Sequence, residues 1–403
     1  MKMFEIFGSK SRSAAATASP SEYYEKLGNR TRFAAVVCAI VFAVVVMFAA
    51  SAYSDEINLE NFRYMLKFLD PAAATVKQDD VIGFDYDETN IAFSLGGSIA
   101  VCNSAGISVY DSTGERLQHE TFRNETPIVK SNGKYVYMCG AFATELRVYT
   151  AYRQYHSETF EYPITDLSIA DSGQFAVATS VKSYRSAVIV YNSYFKPVLT
   201  CRYGDKYVSG TAIAHDGKKL ATALQYSENG DLITELIIYN VDDGVAFASH
   251  RYDGELPLRV HYFENGCVAM LTDRALRIYD STGEMITEID VSSDKVTGFA
   301  GGETTVAVYR AVGGLAGGSE VTVYGSSGNI LLTEELAAEP LDYYADTSKV
   351  YLLSHGMLRI YDISGQTADE TIECDSSFVR ILCDQSSLML ASKDNARVIK
   401  TFK

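Results

Sequence analysis

The sequence predicts an all-β chain. The expected fold is an eight-bladed β-propeller of four-stranded antiparallel blades, with seven blades as the alternative, preceded by a transmembrane helix and a short amphipathic helix. Three observations predict it. A strand motif ending in tyrosine returns at intervals of roughly 40 residues along most of the chain. Turns rich in Asp, Ser and Gly separate short apolar runs throughout. One long stretch near the N-terminus carries no charge, Pro or Gly. The composition agrees, since 47% of the 403 residues are apolar and 12% aromatic, too many for a disordered chain.

Residues 1–32 read as a disordered cytoplasmic tail, with small polar residues filling SKSRSAAATASPSE at 9–22. Residues 33–54, FAAVVCAIVFAVVVMFAASAYS, read as a transmembrane helix. At 1.5 Å per residue they reach roughly 33 Å, enough to cross a bilayer core. Lys26, Arg30 and Arg32 precede this run, and Asp55, Glu56 and Glu60 follow it. Basic flanks stay inside, so a single-pass topology is expected, with the N-terminus cytoplasmic and the remainder extracytoplasmic at the cell membrane. Ala50-Ser51-Ala52 would also suit cleavage of a signal peptide. The long leader and the long apolar run favour an uncleaved anchor. Residues 55–70 follow as a juxtamembrane amphipathic helix. Leu59, Phe62, Leu66 and Leu69 fall on one face, Ser54 can cap it, and Pro71 stops it.

Residues 71–403 are the repetitive part. The motif instances are ISVYDSTGE, LRVYTAYRQ, VIVYNSYFK, LIIYNVDDG, LRIYDSTGE, VTVYGSSGN and LRIYDISGQ. Their tyrosines are Tyr110, Tyr149, Tyr191, Tyr239, Tyr279, Tyr324 and Tyr361. A degenerate eighth copy, ARVIKTF, ends the chain. Each unit opens with a short apolar strand and a polar turn, such as ADSG at Ala170–Gly173 or HDGK at His215–Lys218. A second apolar strand, the tyrosine strand and a fourth strand complete it. Asp followed by Gly three residues on suits a type I turn with a left-handed Gly, a tight hairpin. The last unit lacks its fourth strand. AAATVKQ (72–78) is the segment expected to supply it and close the ring.

The strand–ADSG–strand and strand–HDGK–strand units resemble WD40-like and quinoprotein-like β-propellers. The whole layout is similar to an uncharacterised family of single-pass, membrane-anchored propeller proteins from anaerobic Gram-positive bacteria. That resemblance implies a fold and a location, and no activity. Zero Trp sets the chain apart from true WD40 repeats, which carry a Trp-Asp pair, and from quinoprotein dehydrogenases, which need Trp beneath the cofactor.

No cofactor or metal is expected. The six histidines show no ligand spacing, and there is no CxxC or HExxH. The six cysteines after residue 38 are scattered through apolar strands and read as buried free thiols. Asp79, Asp80, Asp85, Asp87 and Glu88 lack the Gly and final Glu of a calcium loop. A net charge of −16 excludes a nucleic-acid partner, which needs a basic face. Long hairpins are expected at 181–186, at 225–234 and around GGLAGG (313–318). A ligand would be read there, which makes Tyr184, Arg185, Tyr226, Glu228 and Arg310 the candidate binding residues. With no catalytic constellation in view, the function read is a scaffold holding a protein or peptide partner on its loop face. The alternatives are a ligand sensor coupled through the membrane helix, or a hydrolase with its site in the propeller funnel.

Overall fold

The computed structural model describes residues 35–38, 40 and 77–402, apart from 124–125, 293–294, 313–317, 364–367, 369 and 385–386. The predicted tail and amphipathic helix lie outside the described residues. Of the predicted transmembrane helix, 35–38 and 40 are described, and they are helical. Among the described residues no helix is long and apolar enough to cross a membrane.

From Asp70 the chain forms one compact unit. Among the described residues, its strands make eight four-stranded antiparallel sheets. Seven follow chain order: blade 1 (residues 91–121), blade 2 (127–159), blade 3 (166–203), blade 4 (207–253), blade 5 (257–290), blade 6 (296–336) and blade 7 (342–373). Each first strand contacts the first strand of the next blade. Arg380–Cys383 of blade 8 returns to contact Ile91–Leu95 of blade 1. The first strands therefore form a closed inner ring, and the eight-bladed expectation holds over the seven-bladed one.

Blade 8 joins the two ends of this unit. Arg380–Cys383, Ser387–Ala391 and Asn395–Thr401 supply three strands, and Val81–Gly83 supplies the outermost. This corrects the sequence assignment of the closing strand to 72–78: Lys77 and Gln78 precede the strand, and 72–76 lie outside the described residues. The register pairs Val81 with Arg397 and Gly83 with Asn395. It is extended by Asp79 N–H to Val398 O (2.9 Å) and Phe84 N–H to Asp394 O (2.8 Å). Beside it, Asn90 Nδ2 donates to Lys393 O (2.8 Å) and Lys393 Nζ donates back to Asn90 O (2.7 Å).

All seven motif tyrosines lie on third strands. Six are buried, and Tyr239 is half-buried. The apolar clusters they join straddle neighbouring blades. Phe175 stacks on Tyr191 at 4.8 Å, and this pair belongs to a cluster that also holds Tyr137, Leu146 and Val148 of blade 2. Burying such a ring contributes on the order of 2 kcal/mol, so inter-sheet packing is sufficient reason for the repeat.

An up-and-down meander puts its connections at two ends. We term the upper face the end bearing the second-to-third-strand hairpins and the links between blades. The lower face bears the first-to-second and third-to-fourth turns. Both YDSTGE turns are lower-face turns, with Gly114 at φ 86° and Gly283 at φ 87°.

Candidate binding face

The longest upper hairpins are those expected from the sequence. In blade 3, Phe175–Val181 turns into Tyr184–Tyr191, and in blade 4 Lys219–Glu228 turns into Asp231–Asn240. The blade 4 turn is Asn229-Gly230, both left-handed (φ 55° and 96°), which matches the right-handed twist of its strands. In blade 6, Thr305–Ala311 leads to Ser319–Gly325, and 313–317 of its tip lie outside the described residues.

Four of the five candidate residues share one patch. Tyr184 is 43% exposed. The Arg185 guanidinium lies 4.8 Å from the centre of the Tyr207 ring and donates to the Tyr207 hydroxyl at 2.6 Å. Next along, Lys206 stands 4.6 Å from the centre of the Tyr226 ring and pairs with Glu235. Glu228 pairs with Arg251 at 2.6 Å. Two cation–ring pairs thus lie at the junction of blades 3 and 4. Arg310 differs. On blade 6 it donates to Thr322 Oγ1 and the Tyr324 hydroxyl, each at 2.7 Å, and lies 3.4 Å from Glu320. It ties its own hairpin together.

The structure adds upper-face residues that the sequence reading missed. Phe142 is 75% exposed in the blade 2 hairpin at φ 59°, a left-handed backbone that a bulky side chain rarely adopts. Tyr207, which opens the first strand of blade 4, is 52% exposed. Leu256, Leu258, Val312 and Leu341 are also exposed at this end. Beneath them, Glu255 of blade 5 accepts two hydrogen bonds from Arg277 (2.7 and 2.8 Å) and one from Thr272 Oγ1 (2.7 Å). The Arg277 guanidinium also lies 3.8 Å from the Tyr252 ring centre and bonds Glu288. Every group of this buried pair is satisfied, so it pins the fold.

Carboxylates gather at the first-to-second turns of blades 3, 5, 6 and 7 on the lower face. Burial raises the Glu303 pKa, and Glu264, Asp346 and Asp171 add to that, with His215 opposing them. His215 bonds Asp171 through Nδ1 (2.7 Å) and the Tyr262 carbonyl through Nε2 (3.1 Å). Among the described residues, no group of three or more His, Cys, Asp or Glu is placed to hold a metal. The acidic residues at 79–88 have other uses: Asp79 pairs with Arg397, Asp85 with Arg116, and Asp87 accepts from the Thr89 amide and hydroxyl. All described cysteines are free. Burial pushes the Cys139 thiol up to about 12, far from a reactive thiolate.

Residues 75–401 match a protein family described as a family of unknown function, DUF5711. The chain belongs to that family. No curated protein sequence matches this DUF5711 chain. Among solved structures it is similar to Sqt1 of Saccharomyces cerevisiae, at 10% identity and a TM-score of 0.57, covering 81% of this chain and 100% of that one. It is also similar to BamB of Moraxella catarrhalis, at 11% identity and a TM-score of 0.51, covering 80% and 99%. A third is Sqt1 of Chaetomium thermophilum bound to the N-terminus of the ribosomal protein L10, at 13% identity and a TM-score of 0.51, covering 80% and 100%. At such identities the likeness is one of fold alone: this DUF5711 chain shares the β-propeller architecture of those structures.

Proposed function

We propose that this DUF5711 chain is a membrane-anchored, extracytoplasmic scaffold that holds a protein or peptide partner on its upper face. The observation that carries the reading is the set of exposed aromatic side chains there. Phe142 holds a costly backbone conformation while leaving its ring in water, and Tyr184 and Tyr207 stand exposed beside cations. Rigid aromatic and Arg side chains are the usual anchors of protein interfaces. The peptide-bound Sqt1 supports the reading, because a propeller of similar fold there holds the N-terminal segment of another protein. The location rests on the sequence: the uncharged run at 33–54 and the basic residues before it.

Two measurements test this. In cells, a photo-crosslinking amino acid at Phe142 or Tyr184 should capture a discrete partner, while one at Tyr194 on the lower face should not. Equal capture at all three, or none at the upper positions, rejects the upper-face reading. In intact cells, a membrane-impermeant maleimide should label a Thr113→Cys variant and spare Ser13→Cys. The reverse pattern rejects the topology.

A further inference from the structure

The fourth strands run along the outer rim, and each starts at the lower face. In four consecutive blades that start is apolar and exposed. Val198 in blade 3, Val245 and Phe247 in blade 4, Met285 and Ile286 in blade 5, and Ile330 in blade 6 are each 40–58% exposed. Blades 1, 2 and 7 begin the same strand with Arg116, Gln154 and Glu370. The apolar starts therefore belong to one side of the ring and not to the repeat as such.

Packing joins these side chains into an arc. In blades 4, 5 and 6 the third-to-fourth turn seats its glycine against the fourth strand of the blade before. A Cβ at Gly244 would lie 3.0 Å from Leu199 Cδ1, beside Val198 and Val245. One at Gly283 would lie 3.5 Å from Phe247 Cε2, two residues before Met285. One at Gly328 would collide with the Thr287 methyl, beside Ile286 and two residues before Ile330. Lys219 adds a bridge from blade 4 to blade 5: its Nζ lies 5.6 Å from the centre of the Phe247 ring and donates to Ser281 O (2.6 Å). Exposed apolar side chains that run on from blade to blade mark a contact surface, which single scattered ones do not.

Two features indicate what covers the arc. The first is where the chain enters. Lys77 and Gln78 precede Val81–Gly83, a fourth strand that rises from the lower face, so the N-terminal segment joins the propeller at the same end as the arc. Only 22 residues (55–76) separate Lys77 from the predicted transmembrane run, roughly 75 Å even when fully extended. So short a tether makes a second contact with the bilayer intramolecular, and modest apolar burial is then enough. Blade 4 stands across the ring from blade 8, so tether and arc would support the lower face from opposite sides. The second feature is charge. Asp242, Asp243 and Glu284 are exposed in the turns of the arc. Pairing two copies of a chain of net charge −16 through this rim would set like charges together, whereas a bilayer interface would not.

We propose that the arc from Val198 to Ile330 rests in the headgroup interface of the bilayer that anchors the chain, which turns the upper face toward the aqueous side. Contact along the rim keeps the carboxylates of the inner turns, Glu264, Glu303 and Asp346, out of lipid. The proposal rests on the membrane-anchored reading and goes beyond it in fixing how the propeller is presented.

The test places a photo-crosslinking amino acid at Phe247, Met285 or Ile330 of the full chain, reconstituted in phosphatidylcholine vesicles, and weighs the products. Lipid adducts should form at all three positions, at least about tenfold above those at Arg116 on the polar rim and at Phe142 on the upper face. With the crosslinker at Ile330, the double variant Phe247→Asp/Met285→Asp should lower the yield about tenfold, and Phe247→Leu/Met285→Leu should keep it. Unchanged thermal midpoints would show that both double variants fold. Adding phosphatidylglycerol should not raise the yield, because the arc carries exposed carboxylates. Covalent dimers in place of lipid adducts would make the arc an interface between copies and overturn the proposal. Equal adducts at every position, or adducts that need phosphatidylglycerol, overturn it too. A chain that enters vesicles and gives no lipid adduct on the arc removes the orientation and leaves the anchor. A chain that does not enter them removes both.

Discussion

Two histidines, His215 in the first turn of blade 4 and His261 on the first strand of blade 5, carry opposite pH signatures. His261 is held between the Phe263 and Phe299 rings (5.6 and 6.4 Å), and its Nε2–H bonds Gly302 O. Burial pushes its pKa down to about 4, and the charges of His215 and Lys130 add to that. A depressed histidine favours the folded state while neutral. Its contribution is therefore complete above the unfolded value near 6.5 and is lost as pH falls toward 4. The loss is at most about 3 kcal/mol. His215, raised chiefly by its bond to Asp171, behaves in the opposite way: its contribution is present at low pH and fades as pH rises through its folded pKa. Urea unfolding at pH 7.5 and pH 4.5 should separate them. His261→Asn should narrow the stability gap between the two pH values, whereas His215→Asn should widen it. A gap unaltered by His261→Asn would mean that the imidazole is not kept neutral by its slot.

At the scale of the element, the two YDSTGE turns form a natural control. Asp111 and Asp280 each accept from an amide two residues on (2.8 Å), an amide four residues on (2.9 Å) and a threonine hydroxyl (2.7 Å). Their glycines share one backbone conformation but not one environment. A Cβ at Gly114 would meet nothing within 4 Å, whereas one at Gly283 would lie 2.3 Å from the Ala248 Cβ of blade 4. Gly114→Ala should cost about 1–2 kcal/mol, the strain of the left-handed backbone alone. Gly283→Ala should cost clearly more, because a neighbouring blade must also move. Equal shifts in denaturant midpoint would contradict this. These turns were legible because hairpin chemistry is local: Asp, Thr and Gly lie within five residues. The hairpins bearing Tyr184, Arg185, Tyr226 and Glu228 were legible for the same reason. Tyr207 and Phe142 were not. The upper face assembles from segments far apart in sequence, and a period of two does not show which residues converge across a ring. Phe142 gave no signal either, since nothing in AFATE marks a left-handed phenylalanine.

At the scale of the whole molecule, a closed ring depends on one seam. Seven blades fold from consecutive chain, whereas blade 8 joins residues more than 300 positions apart, as the Asn90–Lys393 bonds show. The outer contribution to this seam is a strand of only three residues, Val81–Gly83. Ile82, 2% exposed, packs there with Val101, Met389 and Val398. A three-residue strand ending in Gly carries little periodicity, which is why the sequence pointed instead to the longer run before it. The same brevity makes the seam the expected first point of opening. Val81 and Arg397 are direct register partners, both exposed. Val81→Cys/Arg397→Cys should therefore form a disulfide without disturbing the core. The substitution removes the Arg397–Asp79 pair, an exposed contact that contributes little. Chain entropy sets the gain for so long a closed loop at on the order of 5 kcal/mol, and native-state strain lowers it. The oxidised variant should exceed its reduced form by at least about 2 kcal/mol in denaturant unfolding. A bridge that forms without raising the midpoint would show that the wheel opens between other blades, with the two ends of the propeller still joined.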